Sequence, residues 1–277
     1  PPFYREMRGF DGQINRQIKA QQSIHYLLSG DYNFRMWNRP FKLIIATYYK
    51  EMKDLIPYEV DNTRIRYFAK NNSVGYTTGA DVRINGDFIK GIESWATIGF
   101  LKTMEDIADD RKVTYFNANG EEIISGYTFD TKATDSTVVN PGFIPRPTDQ
   151  RVTFGMFFQD YLPMLPACKM YLNMQFGSGL PFGPPDHERW KQIFRMPPYR
   201  RVDIGFAYQI IKEGQTVSKH NPFHHLKDMF ISIEVFNLLQ VNNTVSYTWV
   251  TDVTNRQYAV PNYLTRRQLN LKLQMKF

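Results

Sequence analysis

The run HNPFHH, His220 to His225, is the densest group of imidazoles in the chain and invites a metal or acid–base reading. A bound zinc needs three or four such ligands converging at fixed spacing, and only Asp228 adds a carboxylate nearby. A solvated turn accounts for the cluster better. Nucleophilic catalysis would need Ser, His and a carboxylate or amide within about 3 Å of one another, and neither His25 nor His187 has an evident serine partner. GSGLPFGPP, Gly177 to Pro185, has glycines but no Lys-Ser/Thr and no helix after it, so it is not a phosphate cradle. Its prolines and glycines stiffen the exit of a strand into a loop. The DHERWKQIF that follows supplies His187, Arg189 and Trp190, side chains able to meet a ligand at a loop surface. The single Cys168 can form no internal disulfide and matches no zinc or redox spacing. No catalytic residue, metal or cofactor is expected.

The elements that would hold these residues alternate with period two. Nine segments are predicted, at about 22–35, 41–52, 72–88, 94–106, 148–162, 168–177, 199–211, 228–239 and 264–277. The third places Val74, Tyr76, Thr78, Ala80, Val82 and Ile84 on one face, and Gly75, Thr77, Gly79, Asp81 and Arg83 on the other. The ninth sets Leu269, Leu271, Leu273, Met275 and Phe277 against Asn270, Lys272, Gln274 and Lys276. Aromatics at 15% of residues suit pleated surfaces, and the class is all-β. Connections alternate between short turns (WNRP, IKGIES, PMLPA) and long excursions; the KEGQTVSKHNPFHH connection is longer than this pattern predicts.

No window of about 18 apolar residues exists, which excludes a helical membrane protein. PPFYREMRGF has neither the charged start nor the apolar middle of a signal peptide. The net charge of +7 is spread along the chain and not gathered on one stripe, so no nucleic-acid partner is expected; a basic outer edge facing anionic lipid fits it. Strands of a soluble sandwich run about 5 or 6 residues, whereas a tilted strand crossing a bilayer needs roughly 9 to 11. The predicted segments have the longer length. Short turns on one side and long loops on the other are the habit of transmembrane β-barrels, and Trp37, Tyr48, Tyr49, Tyr161 and Tyr199 near segment ends fit interfacial girdles.

HYLLSGDYNF, RPFKL, YYKEMKDLIPYEVDN, PRPTDQRVTF, FGSGLPFGPP, RMPPYRRVDIGF and VPNYLTRRQLNLKLQMKF together resemble the C-terminal part of the TonB-dependent outer-membrane receptors. The variety is the one that often carries an N-terminal carboxypeptidase-regulatory-like domain. The resemblance implies about nine C-terminal strands of a 22-stranded antiparallel barrel in the outer membrane of a Gram-negative bacterium. It implies energy-coupled uptake of a scarce solute, a siderophore, cofactor, glycan or peptide. Implied partners are outer-membrane lipid and lipopolysaccharide, the plug domain and remaining barrel strands, the TonB complex, the barrel assembly machinery and a surface lipoprotein. Phe277 resembles the terminal aromatic by which that machinery captures its substrates. Plug and TonB box are not visible in the sequence, and nine strands would start outside and finish in the periplasm, so residues 1–20 are expected in an external loop of a fragment. The alternative from another class is a small outer-membrane β-barrel enzyme of lipase or protease type.

In such a barrel Asp31, Gly75, Gly79, Asp81, Arg83, Gly155, Asp203, Glu234 and Lys272 would face the lumen or the plug, as would Gly99 and Gly205. The glycines read equally as a surface against a plug or as relief for twist. Asp81 with Arg83, and Arg201 with Asp203, stand two apart on one face and are expected to form ion pairs.

Overall fold

Period-two alternation requires that every second residue meet the same environment, and the computed structural model meets it with strands. Residues 2–89, 92–162, 164–212, 223 and 225–277 are described. Nine long strands are β1 (Gln22–Met36), β2 (Arg39–Leu55), β3 (Ser73–Ile89), β4 (Ile92–Ile107), β5 (Val152–Leu162), β6 (Leu165–Gly177), β7 (Tyr199–Ile211), β8 (Asp228–Phe236) and β9 (Gln268–Lys276). Each pairs antiparallel with its successor, giving one sheet in sequence order, to which the two-residue strand Ile144–Pro145 adds beside β4. Helix among the described residues amounts to Tyr4–Met7 and the 3-10 turn Arg189–Lys191. No helix among the described residues is long and apolar enough to cross a membrane, which leaves strands untouched as a means of crossing.

β1 and β2 meet in a two-residue turn, since Met36 lies opposite Arg39. Trp37 and Asn38 both take positive φ, 53° and 58°, the combination that lets a tight hairpin follow the strand twist. The excursions carry hairpins that the sequence reading leaves as loop: Tyr58–Asp61 with Arg64–Tyr67, Lys112–Phe116 with Asp135–Val139, and Thr244–Thr251 with Gln257–Tyr263. β5 starts at Val152 and not near 148, because Asp149 is withdrawn into the loop layer described below.

The register defines two faces. Asp31 lies opposite Ile44, Ile44 opposite Arg83, Arg83 opposite Thr97, Thr97 opposite Gly155, Gly155 opposite Gln175 and Gln175 opposite Arg201. On the other face the row runs Tyr32, Leu43, Ile84, Ala96, Met156, Met174 and Val202. The second row is apolar across the sheet, and among the described residues no buried core covers it. The buried apolar clusters, Ile18 with Ile56 and Ala69, and Ile211 with Leu226 and Met229, lie at strand ends and in loops. Leu269 and Leu271 remain 76% and 68% exposed.

Aromatic rings flank this apolar face at both ends. Toward the short turns Phe34, Trp37 and Phe88 pack around Phe41, and Phe88 also meets Phe158. Toward the long loops Tyr26, Tyr49, Tyr76 and Phe143 form a chain of contacts, with the Lys102 ammonium 5.9 Å from the Tyr76 ring centre. On β2 the distance from Phe41 to Tyr49 is about 27 Å of strand at about 3.4 Å per residue. A tilt of about 35–45° would shorten it to about 19–22 Å, somewhat under the height of an outer-membrane apolar band, about 25 Å.

Candidate functional site

The four long excursions converge above one end of the sheet. The β2–β3 and β8–β9 connections are about six strand spacings apart along the sheet, roughly 29 Å at about 4.8 Å each. Yet the Ser246 hydroxyl donates to Asn62 Oδ1 at 2.5 Å, and Asn262 Nδ2 donates to the same oxygen at 3.2 Å. These hairpins meet only if the sheet curves and its loops lean over the concave side.

That side is the polar one, because the loops anchor on Thr103 and Glu105, which continue the polar row of β4. The Glu105 carboxylate accepts from Arg189 Nη2 at 2.9 Å, and Arg146 approaches its other oxygen at 3.4 Å as an ion pair without a hydrogen bond. Arg189 also donates to Gln192 Oε1 at 2.7 Å and to the Pro145 carbonyl at 3.0 Å. Glu59, in the first hairpin, accepts from the His187 backbone N–H at 3.1 Å, contacts its Nδ1 at 3.0 Å and accepts from Gln192 at 3.4 Å. Asp149 accepts from the Thr103 backbone N–H and from Arg151 Nε, each at 2.7 Å, and from Arg195. Glu59, Glu105, Asp149 and Arg189 are shut off from solvent. Charges so buried persist only when paired and hydrogen-bonded. Burial pushes the Glu59 carboxyl above its ordinary range, against the pull of the His187 ring and Arg66.

Two further contacts complete the layer. Phe182 stacks on Tyr247 with ring centres 4.3 Å apart, joining the third excursion to the fourth. Arg256 donates to the Gly126 carbonyl at 2.8 Å and lies over the Tyr127 ring, joining the fourth to the second.

The three loop side chains proposed to meet a ligand have different fates. Arg189 points inward and is consumed by Glu105, Gln192 and Pro145, so it offers nothing to an external solute. His187 is bound to Glu59 and packs against Phe10, with ring centres 3.9 Å apart and the planes tilted by 43°. Trp190 lies beneath the ammonium groups of Lys112 and Lys191. All three brace loops. Sequence reasoning missed Glu59 and Glu105 as the partners of His187 and Arg189, and Asp149 as the partner of Arg151 and Arg195.

Along the sheet, the register puts Asp31, Gly75, Gly79, Asp81, Arg83, Gly155, Asp203, Glu234 and Lys272 on the polar face. The glycines are covered by neighbouring strands: Tyr48 lies over Gly79, Trp95 over Gly155 and Tyr171 over Gly205. The Tyr171 hydroxyl also bonds Glu234, which accepts from Asn270 at 2.8 Å. Gly75 faces the Met104 carbonyl and the side chains of Leu55 and Met52, and Gly99 is hemmed by Asp81 and Thr153.

Of the two expected ion pairs one forms: Arg201 Nε donates to Asp203 at 2.8 Å, and Asp203 also accepts the Asn237 backbone N–H. Arg83 instead donates to Asn85 at 2.7 Å and lies over Trp95, so no Asp81–Arg83 pair forms among the described residues. Asp31 pairs with Lys42 at 3.0 Å. His25 does meet a serine, Ser23, at 3.1 Å, but no carboxylate orients its ring among the described residues. Residues 220–222 and 224 of the histidine cluster lie outside the described residues, and among those described no group of three or more His, Cys, Asp or Glu could hold a metal. Phe277 follows the end of β9 and is exposed.

No family model matches the chain, and no curated protein matches it. Among solved structures, the outer membrane transporter YddB from Escherichia coli is similar, with a TM-score of 0.50 and 14% sequence identity. The match covers 94% of this chain and 33% of that one, so the chain spans about a third of that transporter's length. At this identity the likeness is one of fold. The chain is thus an all-β antiparallel sheet, almost without helix, similar in fold to an outer membrane transporter.

Proposed function

We propose that this chain forms part of the wall and mouth of a transmembrane β-barrel of the TonB-dependent receptor kind, importing a scarce solute across an outer membrane. The observation that carries the proposal is the sheet itself: one face apolar across nine strands with no buried layer packed on it among the described residues, and aromatic belts at both ends. In water such a face would need a second layer, as sandwiches provide. In hydrocarbon it is already matched to its medium. The free edges of β1 and β9 would leave backbone groups unpaired in lipid at several kcal/mol each, so further strands close the barrel. The polar face then lines a lumen holding a plug, and the braced loops form the mouth. Energy coupling through TonB, insertion by the barrel assembly machinery and a surface lipoprotein at the mouth belong to the same proposal. Solute passage, not catalysis, is the role in this proposal; among the described residues the Ser23–His25 contact has no carboxylate such as a hydrolase would use.

The test is topological. Single cysteines at Asn119, in the second long excursion, and at Asn38, in the short β1–β2 turn, are introduced into the full-length protein in its native membrane. A membrane-impermeant maleimide applied to whole cells should label position 119 and leave position 38 untouched until the outer membrane is opened. Labelling at position 38 in intact cells, or recovery of the protein in the soluble fraction, would sink the proposal.

A further inference from the structure

A basic cleft lies beside the loop layer, where the segment around Tyr4–Met7 packs on the first hairpin. Its volume is about 560 Å3, and its walls include Arg5, Arg8, Arg64 and Arg66 with the rings of Tyr4, Phe10 and Tyr67. Arg64 and Arg66, two apart on a strand, project to one side of the hairpin, while Arg5 and Arg8, three apart across a helical turn, are neighbours. Only Arg66 has a carboxylate partner, Asp61. Glu6, next to Arg5 in the sequence, accepts from the Phe3 backbone N–H and from Gln21, each at 2.9 Å, and forms no ion pair among the described residues; its single charge offsets only part of the four guanidinium groups. Arg5, Arg8 and Arg64 therefore face one cleft without an ion-pair partner among the described residues. Five arginines within the loop layer, Arg146, Arg151, Arg189, Arg195 and Arg256, are by contrast each matched to an acid or a carbonyl. Four guanidinium groups against the carboxylates of Asp61 and Glu6 leave the cleft short of counter-charge, and an anion placed among them relieves the remaining repulsion while accepting forked hydrogen bonds. The aromatic walls suit a planar or apolar portion of the same molecule, with cation–π support from the arginines.

We propose that this cleft binds a phosphate or carboxylate group carried on a molecule with an apolar or planar part. The proposal rests on the reading of these loops as the outer mouth of a transporter, where such an anion is either a captured solute or a lipid headgroup. Aromatic anchoring of His187 by Phe10 connects the cleft to the braced loops, so its occupant would touch the mouth's own framework.

The experiment uses the full-length receptor purified in detergent, titrated calorimetrically with phenyl phosphate and, separately, with vesicles containing lipid A. The variant is Arg5→Gln/Arg8→Gln/Arg64→Gln, all at exposed positions. Arg111→Gln/Lys132→Gln, exposed on another excursion, controls for general charge. Phenyl phosphate affinity is expected to fall at least tenfold in the triple variant, to weaken with salt in the wild type, and to be unchanged in the control. Discrimination by lipid A vesicles alone would assign the same site to a lipid headgroup. Equal behaviour of wild type and triple variant toward both probes would overturn the site. A receptor that passes the labelling test yet fails here loses only the anion site. One that fails the labelling test loses the transport reading, and the titration still decides the cleft.

Discussion

The Arg189 guanidinium meets the Glu105 carboxylate at 2.9 Å across 84 residues of sequence, and neither side chain reaches solvent. Their pairing pins the third excursion to the end of β4. Arg189→Ala would strand a buried carboxylate, with Arg146 at 3.4 Å as its only remaining cation, and such stranding typically costs about 3–5 kcal/mol. Hydrogen exchange across 180–196 should accelerate strongly in this variant. Arg189→Met/Glu105→Leu, which removes both charges, should recover part of the protection. Equal loss in single and double variants would show that the pair does not hold the loop.

Glu59 supplies a pH dependence of definite sign. Burial raises its folded pKa, so the folded layer binds more protons than the unfolded one. The stabilising effect is full below the ordinary carboxylate pKa and is lost as pH rises through the raised folded value. After correction for intrinsic exchange, protection of residues 58–67 and 180–196 should fall on passing from about pH 4 to about pH 7. Glu59→Gln should flatten that slope, and an unaltered slope would assign it to another group.

Tyr171 occupies the space that a side chain at Gly205 would need. Gly205→Ala should cost about 1–3 kcal/mol by overpacking, read as lower assembly yield and a lower unfolding temperature. Gly205→Ala/Tyr171→Leu should cost less than the sum of its single variants, because the clash disappears with the ring. Strict additivity would mean the ring moves aside freely.

The two faces of β9 should answer charge oppositely. Leu271→Arg, on the apolar face, should destabilise insertion by about 2–4 kcal/mol, whereas Gln274→Arg, on the polar face, should be close to neutral. Folding yield into phospholipid vesicles measures both, and equal penalties would contradict the face assignment.

Alternation was readable because a strand with unlike media on its two faces must repeat every two residues, as Leu269 to Met275 do. The hairpin Thr244–Thr251 with Gln257–Tyr263 was not read: Thr244 to Trp249 do alternate, but their partner Gln257–Tyr263 runs Tyr-Ala-Val-Pro without alternation and includes Pro261. The carboxylates of the loop layer escaped notice for another reason. Glu59 and His187 stand 128 residues apart, and no local spacing announces such a pair. Asp81–Arg83 and Arg201–Asp203 share one sequence pattern yet differ in outcome, because Asn85 and Trp95 offer Arg83 other partners that only the register brings near.

The Trp37–Asn38 turn zips fifteen residue pairs between β1 and β2 with almost no chain to close. The Asn62–Ser246 contact closes a separation of 184 residues. Loop closure of that length comes late in folding, after local pairing has shortened the path. Assembly therefore has an order, staves first and hoop last, and the final clasp to shut is the one that joins the first excursion to the fourth.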